Sequence, residues 1–245
     1  MTNPITNYGF TAVPASASTL LTSTPAYNTS NKPLGPLPSP VSSTPIPTTA
    51  LAKRINTYAL SHLPEPTYNH SLRVYHFGLA IKRYRFPHAD WDFSDETYFL
   101  ACLLHDIGTT DENLQKTRMS FEFYGGFLAL EVLQYGGEAP REQAESVAEA
   151  IIRHQDLCDV GRITALGQLL QLATIFDNTG EYADLVHPHT ITDVLAHFPR
   201  HHWSRCFAST INRENGMKPW AHTTALGEEA FPAKVLGNKL MEQYE

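Results

Sequence analysis

The chain has 245 residues, 42% of them hydrophobic and 18% charged, with a formal net charge of -7. That length is enough to bury a substantial core, and the acidic balance argues against a broad polyanion-binding surface, so nucleic acid is not an expected partner. No run approaches the roughly 20 consecutive apolar residues of a membrane helix, and Met1-Thr2-Asn3-Pro4 lacks the basic-then-apolar pattern of a secretory signal. No membrane partner is therefore expected, and a cytoplasmic location is.

Residues 1 to about 50 are dominated by Ser, Thr, Pro and Asn, with Lys32 the only charged side chain before Lys53. Pro33, Pro36, Pro38, Pro40, Pro45 and Pro47 impose extended or polyproline-like backbone. The expectation is an arm, either mobile or laid over the following domain. Tyr8-Gly9-Phe10 and Val13 give its first dozen residues apolar handholds for docking, on this domain or on a neighbouring subunit.

From Leu51 to the end the apolar spacing is helical and runs of alternating β-branched residues are lacking, which predicts an all-α domain over 51–245. The expected helices are 51–62, 67–83, 95–107, 119–135, 141–154, 163–177, 190–197 and 203–214. Ser94 before Asp95 and Glu96, and Pro140 before Glu142, supply start signals; Gly136-Gly137 and Gly161 supply stops. Cys102, Cys158 and Cys206 are odd in number and lack metal-knuckle spacing, as reduced thiols would.

Residues spaced by three, four or seven share one helical face. His70 lines up with Val74, Phe77 and Ile81; His105 lies above Tyr98, Ala101 and Cys102; Asp106 lies above Phe99, Cys102 and Leu103. Asp177 ends the stripe Leu166, Leu170 and Ala173, and His154 shares a face with Val147, Ala150 and Ile151. An aspartate in the last turn of a helix opposes the macrodipole, and an ionised carboxylate off water is costlier still unless paired. A divalent cation removes both objections. Two imidazoles, His70 and His105, and two carboxylates, Asp106 and Asp177, can supply four ligands and leave positions open for water. Taken singly, each has an ordinary reading as a hydrogen-bonded core histidine or a helix-terminal acid.

The series His70, His105-Asp106, Asp177 resembles the H...HD...D signature of HD-domain metal-dependent proteins. Beyond it, Tyr68-Asn69-His70-Ser71-Leu72-Arg73-Val74-Tyr75, Leu103-Leu104-His105-Asp106-Ile107-Gly108, Ile151-Ile152-Arg153-His154-Gln155 and Lys218-Pro219-Trp220 together resemble the fungal cyanamide hydratases, and the likeness extends from Tyr8-Gly9-Phe10-Thr11 to the carboxyl end. The resemblance implies an all-α HD-domain bundle behind an N-terminal arm, a metal site and hydration of cyanamide to urea. Zn2+ is the expected ion, with Fe2+ or Mn2+ compatible with the same ligands, and a homo-oligomer is expected. His154 is the candidate proton shuttle, with a core histidine or a second-metal ligand as alternatives. Asp106 or Asp177 is a candidate to hold the attacking water besides ligating. Asn69 is expected either to orient a small polar substrate or to cap its helix. Arg73, Arg153, Lys116 and Arg118 are the residues a phosphohydrolase would recruit for phosphate, but solvated helix faces account for them. His76 and His88 are expected at the surface or rim, and 218–222 as a rigid loop that could cover a site. Two rival functions stand beside hydration: a metal-dependent phosphohydrolase acting on a nucleotide or small phosphomonoester, and a non-catalytic metal-stabilised interaction module.

Overall fold

Helices form where apolar side chains recur at three- and four-residue spacing behind a capping hydroxyl. Thr49, Ser94, Thr110 and Thr164 each accept the backbone N–H three residues on, from Ala52, Thr97, Asn113 and Gly167. The computed structural model describes residues 3–24, 35–88 and 91–245. Within them the helices are α1 (Pro4–Asn7), α2 (Ala17–Ser23), α3 (Ala50–His62), α4 (Glu65–Arg85), α5 (Asp95–Leu104), α6 (Asp111–Lys116), α7 (Phe121–Gln134), α8 (Arg141–Ile152), α9 (Ala165–Thr179), α10 (Pro188–His197), α11 (Trp203–Met217) and α12 (Ala230–Leu236). Two three-residue strands, β1 (Ala12–Pro14) and β2 (Arg162–Thr164), pair antiparallel with Val13 opposite Ile163. Among the described residues the fold is all-α apart from this ribbon. Among the described residues no helix is long and apolar enough to cross a membrane.

The centre of the molecule is α5, in which every residue from Thr97 to Leu104 is buried. A helix apolar on all sides can be stable only when it is surrounded, and α3, α4, α8 and α9 pack around this one. Burying each large apolar side chain of α5 stabilises the fold by about 1.5–3 kcal/mol before entropy is counted. On α9 every residue from Ala165 to Asn178 is buried, and the helix stops at Gly180, whose φ of 73° is readily adopted without a Cβ.

The predicted helix 95–107 ends earlier, at Leu104. His105 is its C-cap, Asp106 has φ -102° and ψ 11°, and a single 3-10 turn follows over Ile107–Thr109. The break turns two neighbouring side chains out of the helix interior toward one place. Gly108 lets this turn pack against the start of α7, because a Cβ there would lie 2.1 Å from the carbonyl oxygen of Phe121. Strand β1 and the short helices α1, α2, α6 and α12 lie outside the predicted elements, and β2 takes the first two residues of the predicted helix 163–177, since segments of three to seven residues carry too few turns or alternations to register as a period.

The arm is laid over the helices in its described parts. Val13, Ala15 and Leu20 join the main core, the Tyr8 carbonyl accepts from Ser146 Oγ, and the Ser94 N–H donates to the Asn7 carbonyl at 3.1 Å. Further along, the Ser39 N–H donates to Thr190 Oγ1 and the Val41 N–H to Asp193 Oδ2, both at 2.7 Å. Lys32 and Pro33 lie outside the described residues. His76 corrects its surface expectation: it is buried, with Nδ1 2.6 Å from Thr44 Oγ1 and its ring stacked on Phe198.

Candidate metal centre

Three helices deliver the site. His70 comes from the second turn of α4, His105 and Asp106 from the break after α5, and His154 from the turn just after α8. All four side chains are buried. Ligand atoms of His70, His105 and Asp106 all lie within 4.8 Å of one another. His105 Nε2 is 3.2 Å from His70 Nε2 and 3.3 Å from Asp106 Oδ2, which in turn is 3.8 Å from His70 Nε2. His154 Nε2 stands 3.8 Å from Asp106 Oδ1, with its ring edge-on to His105 and to Phe121.

Hydrogen bonds on the far side of each ring fix which nitrogen is free. His105 Nδ1–H donates to the Cys102 carbonyl at 2.7 Å, His154 Nδ1–H to the Ile151 carbonyl at 2.7 Å, and His70 Nδ1–H to Asp177 Oδ2 at 2.6 Å. Since a carbonyl or carboxylate can only accept, neutral rings in this arrangement present three Nε2 lone pairs inward. Two lone pairs 3.2 Å apart repel unless something positive lies between them. Neither oxygen of Asp106 nor His154 Nε2 finds a hydrogen-bond partner, although all are buried. Orphaned acceptors that converge in this way suit a cation, and rings held by Nδ1–H bonds to oxygen are the usual support of metal-binding histidines.

The electrostatics agree. Burial lowers His70 and His154 to about 4, so both are neutral near pH 7. Burial alone would raise Asp106, but His105, His70 and His154 pull it down to about 2. Burial opposes protonation of His105, yet the adjacent Asp106 raises it above its ordinary value. The field at this point favours positive charge.

Asp177 occupies a different place from the other expected ligands. It lies outside the group drawn together within 4.8 Å, and its oxygens accept from His70 Nδ1, from Arg73 Nε and Nη2, and from Arg200 Nη1 at 2.9 Å. Both arginines are fully buried. Burial alone would raise its carboxyl, but Arg73 and Arg200 hold it well below the usual carboxylate range. Arg73 thereby corrects the expectation of a solvated helix face. Asn69 donates from Nδ2 to the Pro199 carbonyl at 3.1 Å, and it sits inside α4 rather than at its cap.

The HD-domain family profile matches residues 67–179, a span that begins three residues before His70 and ends two after Asp177. Over 234 residues the chain is 42% identical to the cyanamide hydratases DDI2 and DDI3 of Saccharomyces cerevisiae, covering 96% of this chain and 98% of each relative. The chain belongs to the HD-domain family, in the group of the cyanamide hydratases. Its HD-domain character makes it an enzyme of a metal-dependent class.

Two residues around the HD site, Arg200 and Trp203, are not assigned to it by any apolar stripe. Arg200 follows the loop at Pro199, where no periodicity applies. Trp203 stacks on His70 with ring centroids 4.2 Å apart and donates from Nε1 to Asn178 Oδ1. The 218–222 loop ties α11 to the start of α7: buried Lys218 donates to the Met119 carbonyl, and His222 Nδ1 pairs with buried Glu122 at 2.8 Å. Glu214 Oε1 accepts the Phe121 N–H at 2.7 Å, so α11 caps α7 where Ser120 makes no side-chain cap.

Proposed function

We propose that this protein adds water to cyanamide, giving urea, at a divalent metal held by His70, His105 and Asp106. The observation that carries this reading is the convergence of three imidazole lone pairs on a buried carboxylate with no other partner, in a chain related over nearly its whole length to cyanamide hydratases. Zinc suits the nitrogen and oxygen donor set; ferrous iron and manganese suit it as well. When bound, such an ion lowers the pKa of coordinated water toward neutrality and polarises the reacting carbon–nitrogen bond.

The chain's own groups handle position and protons. His154 enters the reaction neutral, with Nδ1–H fixed on the Ile151 carbonyl and its Nε2 lone pair toward Asp106. In this scheme Nε2 takes one proton from the attacking water as oxygen bonds to the nitrile carbon. The same proton passes to the nitrile nitrogen as one carbon–nitrogen π bond is lost. The product, isourea, tautomerises to urea, and neither oxidant nor leaving group is needed. Asp106 anchors the cation and can also orient the water. Asp177 acts from behind His70, fixing the ring so that Nε2 faces inward. Asn69, spent on Pro199, is assigned a structural tie.

A phosphohydrolase reading would need cations free to meet phosphate. Arg73 and Arg200 are committed to Asp177, Arg153 to Asp156 and Glu149, and Lys218 to Glu214, which leaves Lys116 and Arg118, both exposed, of the residues named for that role. Assay of metal-loaded protein with cyanamide and, separately, with nucleotides and phosphomonoesters tests the choice. Urea release without phosphate release is expected; phosphate release without urea would overturn it.

A further inference from the structure

Behind Asp177 lies a chain of buried charges that the hydration scheme leaves unexplained. Arg73 and Arg200 place two positive charges against one carboxylate, and both guanidinium groups are fully buried. One partner cannot balance two cations, and an uncompensated buried charge is costly. The balance is restored by Glu245. Its Oε1 accepts from Arg200 Nε at 2.7 Å and from Ser204 Oγ at 2.6 Å, and its side chain is only 22% exposed. Arg200 therefore has one edge on Asp177 and another on Glu245, with Nη2 donating to Ser204 Oγ at 3.1 Å. The Asp177 carbonyl is held as well, by Arg200 Nη1 and by Asn238 Nδ2.

We infer that Glu245 is a positioning residue for the metal centre, acting through Arg200 and Asp177 on His70. This rests on the reading of His70 as a metal ligand. Two consequences follow from the chemistry of the knot. First, with the Glu245 side chain charged, the side-chain charges of Arg73, Arg200, Asp177 and Glu245 sum to zero; with it neutral, these side chains carry a surplus positive charge two links from a ring that must ligate a dication. Second, Arg200 held by two anions cannot turn away from Asp177, so the bond from His70 Nδ1 keeps its direction. Loss of Glu245 should weaken cation binding without removing any group that touches the cation.

The test compares full-length protein with Glu245→Gln, Glu245→Asp and Ser204→Ala, each stripped by chelator and titrated with Zn2+ against a chromophoric competitor. Each is also loaded with Co2+ for its visible ligand-field spectrum. Glu245→Gln should bind zinc roughly tenfold more weakly, at the lower end for groups outside the ligand set, and shift the cobalt bands. Glu245→Asp should recover much of the affinity. Ser204→Ala removes two hydrogen bonds from the same knot but no charge, so it should lower thermal stability while leaving zinc affinity near the parent's. A purely structural Glu245 would make Glu245→Gln and Ser204→Ala behave alike, and that result overturns the inference. Parent protein that binds zinc while Glu245→Gln matches it in affinity and spectrum overturns the inference alone. Parent protein that binds no divalent metal overturns the metal centre with it.

Discussion

The Nδ1–H of His70 donates to Asp177 Oδ2 at 2.6 Å, and this bond decides that the other nitrogen of the ring faces His105 and Asp106. The acid at the end of α9 thus orients the His70 ring from behind. Asp177→Asn should keep the fold but lower metal affinity roughly 10–100-fold, the range for removing such support. Competition titration of chelator-stripped protein checks it. Asp177→Ala should also destabilise the chain by about 3–5 kcal/mol, because Arg73 and Arg200 lose their shared buried partner; urea denaturation measures that loss.

His154 touches Asp106 only across 3.8 Å and has no other use for its Nε2. His154→Gln should therefore retain most of the metal while turnover falls roughly 10²–10⁴-fold, the span expected when a positioned proton-transfer group is lost. Elemental analysis beside a urea assay separates the two effects. Metal lost together with activity would make His154 a ligand instead.

Much of this centre is legible in the sequence. The apolar stripes point His70, His105, Asp106 and His154 inward, and all four are buried. What the stripes cannot supply is the counter-charge of a buried acid. An inward aspartate at the end of α9 reads as a metal ligand because no cation is visible nearby, yet Arg73, three residues after His70 on the same face, and Arg200, in a loop, fold onto it. His76 misleads similarly: its partners Thr44 and Phe198 are more than 30 and more than 120 residues away. Local periodicity is blind to both.

Metal-free protein should lose stability on acidification. Burial lowers His70, His76 and His154 to about 4, against 6.5 in the unfolded chain. Between those values the unfolded chain binds more protons, so the contribution of these groups is whole above pH 6.5 and is lost as the pH falls toward 4. His105, shifted the other way, offsets part of it. Urea midpoints of chelator-treated protein at pH 7.5, 6 and 5 should fall in that order, and His76→Gln should flatten the slope.

Gly108 holds the break after Asp106 against the start of α7. A Cβ there would sit 2.1 Å from the Phe121 carbonyl oxygen, and backbone cannot yield as a side chain can. Gly108→Ala should cost about 1–3 kcal/mol, the usual penalty of overpacking. It should also weaken metal retention by displacing the turn that carries Asp106. Thermal melting with metal analysis of the folded fraction tests both parts.

The most direct measurement is a paired one on purified protein: divalent metal per chain and urea formed from cyanamide, for the parent, His105→Ala and Asp106→Ala. The parent should carry about one ion per chain and release urea, and both variants should be folded, metal-poor and inactive. A folded Asp106→Ala protein that still holds its ion and forms urea, or a parent that forms urea with no metal bound, would contradict the centre described above.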